Sequence, residues 1–76
     1  MSPKEKDYGK LLRILRKRQD LTQERLAAKL DVTFASINRW ENGHVKPSRL
    51  AVKQIEKFVR SIGEDGQDLV SIYFDE

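Results

Sequence analysis

Apolar residues recur along this chain at helical spacing, and polar punctuation divides the recurrences into segments. Tyr8, Leu11, Leu12 and Leu15 form the first stripe and predict a helix over about 7–19. Lys17, Arg18, Gln19 and Asp20 break that stripe, and Asp20–Leu21 make the connection. Leu26, Ala27 and Leu30 predict a second helix over about 23–30, with Thr22 as its N-cap. Asp31 ends it in a left-handed or turn conformation, which Asp tolerates better than most residues. Val32 plugs the turn, and Thr33 caps a third helix over about 34–42. Gly43 stops that helix and His44–Pro47 form a loop. Ser48 caps a fourth helix, about 49–62, with Leu50, Ala51, Val52, Ile55, Phe58, Val59 and Ile62 as its apolar face and Gly63 at its end.

The two ends read differently. Residues 1–6 are polar and are expected to be disordered. The last eight residues, LVSIYFDE, hold β-branched and aromatic residues without clean alternation, so a short strand, a fifth helix and an extended arm all remain open. The expected architecture is therefore all-α. A four- to five-helix bundle occupies 7–62, and an acidic, apolar tail of uncertain structure occupies 63–76.

Composition narrows this picture. Seventy-six residues support one domain with a small core. The chain has no cysteine, which excludes disulfide staples and thiolate metal sites. No apolar run approaches the roughly 18 residues of a membrane span, and the polar start MSPKEKDYGK lacks a signal-peptide pattern. A soluble, cytoplasmic protein is expected, nucleoid-associated if bacterial, with no membrane partner. The net charge of +3 conceals an asymmetry: residues 1–62 hold all 15 Lys and Arg against 7 acids, whereas residues 63–76 hold 5 acids and no base. A basic body suits a polyanion, because counterion release then supplies affinity. Catalysis has little to work with. There is one His, no Cys and no Gly-rich phosphate loop, and Glu64, Asp65 and Asp68 read as a solvated acidic turn on a linker, short of the ligands a Ca²⁺ loop needs. No enzyme activity, metal or cofactor is expected.

The third helix carries the candidate chemistry. At about 100° per residue, Ile37, Trp40 and Glu41 fall together, with Ile37 and Trp40 pointing inward. Trp40 is thus a core residue rather than a base-stacking one. Ala35, Asn38, Arg39 and Asn42 lie opposite, with Arg39 near the centre. An Arg fork matches O6 and N7 of guanine, and a small Ala would allow close approach and could touch a thymine methyl. Asn38 could read adenine or touch only a phosphate. Phe34, at the border, could meet thymine methyls or cover the core. Gln23 lies in the first turn of the second helix, beside unbonded N–H groups that favour phosphate. Lys46 is a candidate phosphate contact on the following loop, and His44 is either another or solvent-facing. Arg16 flanks the inner stripe of the first helix and Glu41 that of the third, which suggests a partly buried ion pair fixing one helix against the other.

The spaced elements LTQ, LAAKL, I-x-x-WENG and PS resemble the lambda-repressor/Cro-type helix-turn-helix family, also called XRE, over about Tyr8–Ile62. The resemblance implies four or five helices, with the second and third forming a DNA-reading unit. It gives Gln23 the role of a phosphate clamp. It places Thr33, Phe34, Ala35 and Ser36 where base and phosphate contacts concentrate, Arg39 at a base-reading position and Asn42 at a phosphate contact. It also implies the buried Arg16–Glu41 pair. The chain departs from the pattern in five places. Asp31 replaces the turn Gly, Arg25 replaces a Glu that would complete a capping box, His44 and Val45 replace a basic pair, the fourth helix is longer than usual, and the tail has no counterpart.

The function these readings imply is sequence-specific binding of double-stranded DNA by a transcriptional regulator, a repressor acting as a homodimer. The alternatives are a protein-binding module of antitoxin or coactivator type, working through Leu69–Glu76, and the DNA-targeting domain of a longer protein. Leu69, Ile72 and Phe74 packing back on the domain's own core is the competing expectation for the tail.

Overall fold

A computed structural model describes residues 6–75; the expectation for the first five residues lies outside them. The described residues form five α-helices and no strand: α1 Tyr8–Gln19, α2 Gln23–Leu30, α3 Phe34–Glu41, α4 Arg49–Ser61 and α5 Glu64–Tyr73. The predicted helix limits hold to within one residue at every end of the first four helices. Asp7 proves to be an N-cap, its carboxylate accepting from the Lys10 N–H at 2.9 Å, rather than the first helical residue. Thr22, Thr33 and Ser48 cap the next three helices by the same device.

The first three helices end alike. Each runs into a residue with positive φ, namely Asp20 (55°), Asp31 (59°) and Gly43 (75°). The next N–H reaches back to a carbonyl inside the helix: Leu21 to Arg16 at 2.8 Å, Val32 to Ala27 at 3.0 Å and His44 to Arg39 at 3.0 Å. These are Schellman closures, which satisfy carbonyls that a helix end leaves bare. At the first two, the residue after the turn (Leu21, Val32) packs against the core and sets the angle at which the next helix leaves.

Leu11, Leu12, Leu15, Leu26, Leu30, Ile37, Ile55, Val59 and Leu69 are the large side chains buried completely, so all five helices contribute to one core. α1 lies against α3, α2 against α3 and α4, and α5 against α4 and α1. Two glycines permit close backbone approach. A Cβ on Gly9 would collide with the Trp40 carbonyl of α3, and one on Gly66 with the Val59 carbonyl and Ile62 side chain of α4.

The tail resolves as the fifth helix, and not as a strand or an arm. Gly66, Leu69, Val70 and Tyr73 are its buried residues, spaced three, one and three apart, which is a helical stripe. The acids expected on a flexible linker sit on this helix instead. Asp68 takes both guanidinium nitrogens of Arg18 at 2.7 and 3.0 Å, and Asp65 accepts from Gln19 at 3.2 Å. Lys6, expected in a disordered segment, donates to the Tyr73 carbonyl. The rings of Tyr8, Tyr73 and Phe74 cluster with centroids 6.2–6.4 Å apart. Burial pushes the phenols of Tyr8 and Tyr73 above the ordinary tyrosine value.

Two apolar residues depart from expectation. Leu50 is 72% exposed because it lies about 140° around α4 from Ile55, away from the core. Ile72 is 65% exposed, since Tyr73 next to it takes the inward position. Phe74 is partly buried against the core.

Candidate nucleic-acid interface

α3 has two unlike sides. Ile37, Trp40 and Glu41 are buried, while Phe34, Ala35, Arg39 and Asn42 are exposed and Asn38 is half-buried. Phe34, which the sequence left on a border, is 49% exposed and borders a shallow groove with Arg16, Thr22, Gln23 and Glu24. It therefore sits between the starts of α2 and α3. At the same end Thr33 accepts from the Ser36 N–H at 3.1 Å, and the two hydroxyls share a hydrogen bond at 2.9 Å. The capping bond ties down the first turn, where the helix dipole and bare N–H groups favour an anion.

Glu41 is the centre that joins α1, α2 and α3. Its side chain is 2% exposed. Arg16 grips it in a two-point fork, Nε to Oε2 at 2.7 Å and Nη2 to Oε1 at 2.8 Å. Gln23 donates to Oε1 at 2.9 Å, and Arg13 donates to the Glu41 backbone carbonyl at 2.6 Å. Burial alone would push the carboxyl up, but the bonds from Arg16 and Gln23 and the charges of Arg16 and Arg13 overcome it and hold Glu41 below the ordinary glutamate value. The same carboxylate raises the Arg16 guanidinium further. No buried side-chain polar atom among the described residues lacks a partner.

Gln23 and the two asparagines are not independent exposed groups. Asn38 donates to the Gln23 carbonyl at 3.3 Å, and Asn42 donates to the Asn38 carbonyl at 3.1 Å. The structure thus gathers Arg16, Gln23, Asn38, Glu41 and Asn42 into one network, with Thr33 and Ser36 in a separate pair at the helix start. Arg39 belongs to neither. It projects from the outer face and makes no ion pair among the described residues. His44 and Lys46 are exposed on the loop after α3. Sequence reading missed Arg13 and the amide linkage. Arg13 lies one helical turn before Arg16, and Asn38 and Asn42 are four apart, so both were accessible to helical spacing.

Much of the basic surplus on the described surface is uncompensated. Lys10 and Lys17 on α1, Arg25 on α2, and Arg49 and Lys53 on α4 are exposed and make no ion pair among the described residues. Toward the C-terminus Arg18 pairs with Asp68 of α5, and Arg60 lies 3.7 Å from Asp75, beyond the end of that helix. The described residues hold no cluster of metal-ligating side chains, and none of their helices is long and apolar enough to cross a membrane.

Comparison with known proteins finds a family that covers most of the chain. The family profile described as helix-turn-helix matches residues 12–63, from within α1 to the glycine that precedes α5. No curated protein and no solved structure matches the chain. The match spans more than half of the 76 residues and contains the whole α2–turn–α3 unit. The chain belongs to the helix-turn-helix family of lambda-repressor/Cro (XRE) type, a family of DNA-binding regulatory domains.

Proposed function

We propose that this protein is a sequence-specific, double-stranded DNA-binding transcriptional repressor that reads the major groove with α3 and acts as a homodimer. The observation that carries the reading is the outer face of α3. Arg39 stands at its centre with no acid to hold it, and Phe34, Ala35 and Asn42 are exposed around it. Thr33, Ser36 and the first turn of α2 at Gln23 supply phosphate contacts, with His44 and Lys46 on the following loop. One such helix reads only a few base pairs. Two copies on half-sites about 34 Å apart supply the missing specificity. Repression follows where the occupied site overlaps that of polymerase.

Selection of bound duplexes from a random pool, at near-physiological salt, tests this. An enriched inverted repeat with one helical turn between half-site centres is the expected result. Binding without enrichment argues against sequence reading, and a single unrepeated motif argues against the dimer. The competing module reading, through Leu69–Glu76, has less to draw on, because Leu69, Val70 and Tyr73 are already buried in the domain's own core.

A further inference from the structure

The contacts of Glu41 have a direction. A carboxylate can only accept hydrogen bonds, so Gln23 must turn its NH₂ toward Glu41, as it does at 2.9 Å. That leaves the Gln23 carbonyl facing α3, where only an N–H can meet it, and Asn38 supplies one at 3.3 Å. The Asn38 carbonyl is then committed to the NH₂ of Asn42 at 3.1 Å. Each link is dictated by the one before, and reversing any amide sets two carbonyls or two NH₂ groups face to face. The fork from Arg16 and the nearby charge of Arg13 keep the starting carboxylate ionised.

Each NH₂ carries two donors and each of these links uses one. Gln23 and Asn38 therefore keep one N–H each, and each of their carbonyls keeps one of its two lone pairs. Only Asn42, at the open end, keeps a carbonyl that no side chain occupies.

We propose that Glu41 is a positioning residue for DNA recognition: it sets the direction of the Gln23–Asn38–Asn42 amide chain, and so fixes how the remaining N–H and carbonyl lone pair of Gln23 and Asn38 are presented to DNA. The N–H complements are phosphate oxygens or base acceptors, O6 and N7 of guanine, N7 of adenine and O4 of thymine. The adenine fork needs an amide's carbonyl together with its N–H, and Asn38 retains one N–H and one carbonyl lone pair beside its bond from Asn42. This inference rests on the DNA-binding reading for its consequence, but not for the amide chain itself.

The test uses the full ¹⁵N-labelled chain without DNA, followed by the same samples with DNA. Glu41→Gln, which can donate as well as accept, is expected to move the side-chain NH₂ resonances of Gln23, Asn38 and Asn42 together. In the unchanged protein, acidification should move all three with one midpoint. Asn38→Ala breaks the chain without touching the Arg16–Glu41 pair, so it serves if Glu41→Gln does not fold. It should move the signals of Gln23 and Asn42. A response confined to Gln23 overturns the chain. With selected duplexes, Asn38→Ala should cost about tenfold. A loss at one base position identifies a base contact, and an equal loss on every duplex identifies phosphate. No effect of Asn38→Ala on any duplex overturns the role of the amide chain in DNA recognition. If the unchanged protein selects no sequence, the DNA reading falls and the base assignment with it, while the resonances still decide the amide chain.

Discussion

Arg39 and Glu41 are two residues apart, and they face opposite environments. Arg39 projects into water with no partner among the described residues, so its removal costs the fold little. Arg39→Ala should instead remove about 1–3 kcal/mol of discrimination at one base position. Titrations with the selected duplex and its single-base variants measure this, and an equal loss on all of them would make Arg39 a phosphate contact. Glu41 behaves the other way. Removing it strands Arg16 against the core, and Glu41→Ala should cost about 3 kcal/mol of stability, low in the range for buried pairs because Arg16 keeps some access to water. The Glu41 carboxyl also carries a pH signature. Its folded pKa lies below the unfolded one, so its contribution is complete above the unfolded value and disappears as pH falls through the folded value. Chemical denaturation should therefore show the unchanged protein losing stability more steeply than Glu41→Gln below about pH 4.

The helices are joined by ends that cost something. Asp20 and Asp31 hold positive φ, a conformation in which a side chain is strained and glycine is not. Asp31→Gly should therefore raise stability by up to about 1 kcal/mol, the relief of strain being partly offset by the greater freedom of glycine in the unfolded chain. A fall in the melting temperature would mean that the Asp31 side chain has a compensating role. α5 depends on a different device. Gly66 brings it against the Val59 carbonyl of α4, and an added methyl group has nowhere to go except by pushing the helices apart. Gly66→Ala should cost about 1–3 kcal/mol even though alanine is the better helix former. Thermal unfolding measures this, and a stabilised variant would show that α5 sits farther from α4.

Taken as a whole, the molecule separates its charges. All 15 Lys and Arg lie before residue 63 and five acids follow it, of which Asp68 and Asp75 meet Arg18 and Arg60. α5 is also structural, although the family match stops at residue 63, just before it. Ending the chain after Gly63 would leave the full matched segment with an uncovered core. Burial of Leu69, Val70 and Tyr73 would be lost, on the order of 5 kcal/mol. That is comparable to the whole stability of a small domain. The shortened protein should lose its cooperative melting transition, and a sharp transition near the original temperature would show α5 to be dispensable.

The sequence by itself determined what depends on a few neighbouring residues. Helix limits followed from the caps Thr22, Thr33 and Ser48 and from turns at Asp31 and Gly43, because capping bonds span only three residues. The outward set on α3 followed from helical phase, so Arg39 outside and Trp40 inside were both legible. Phase also governs Leu50, which apolarity alone misplaces and its position on the helix does not. The helical stripe Gly66, Leu69, Val70, Tyr73 is visible in the tail, but an eight-residue window starting at Leu69 hides its beginning. Only the tertiary structure decided which partner each surface takes: that α5 closes the core, that Arg18 reaches Asp68 fifty residues away, and that Gln23 turns to Glu41 and Asn38. Periodicity identifies an apolar or polar face of one helix. What covers that face depends on the arrangement of all five, and no local spacing encodes it.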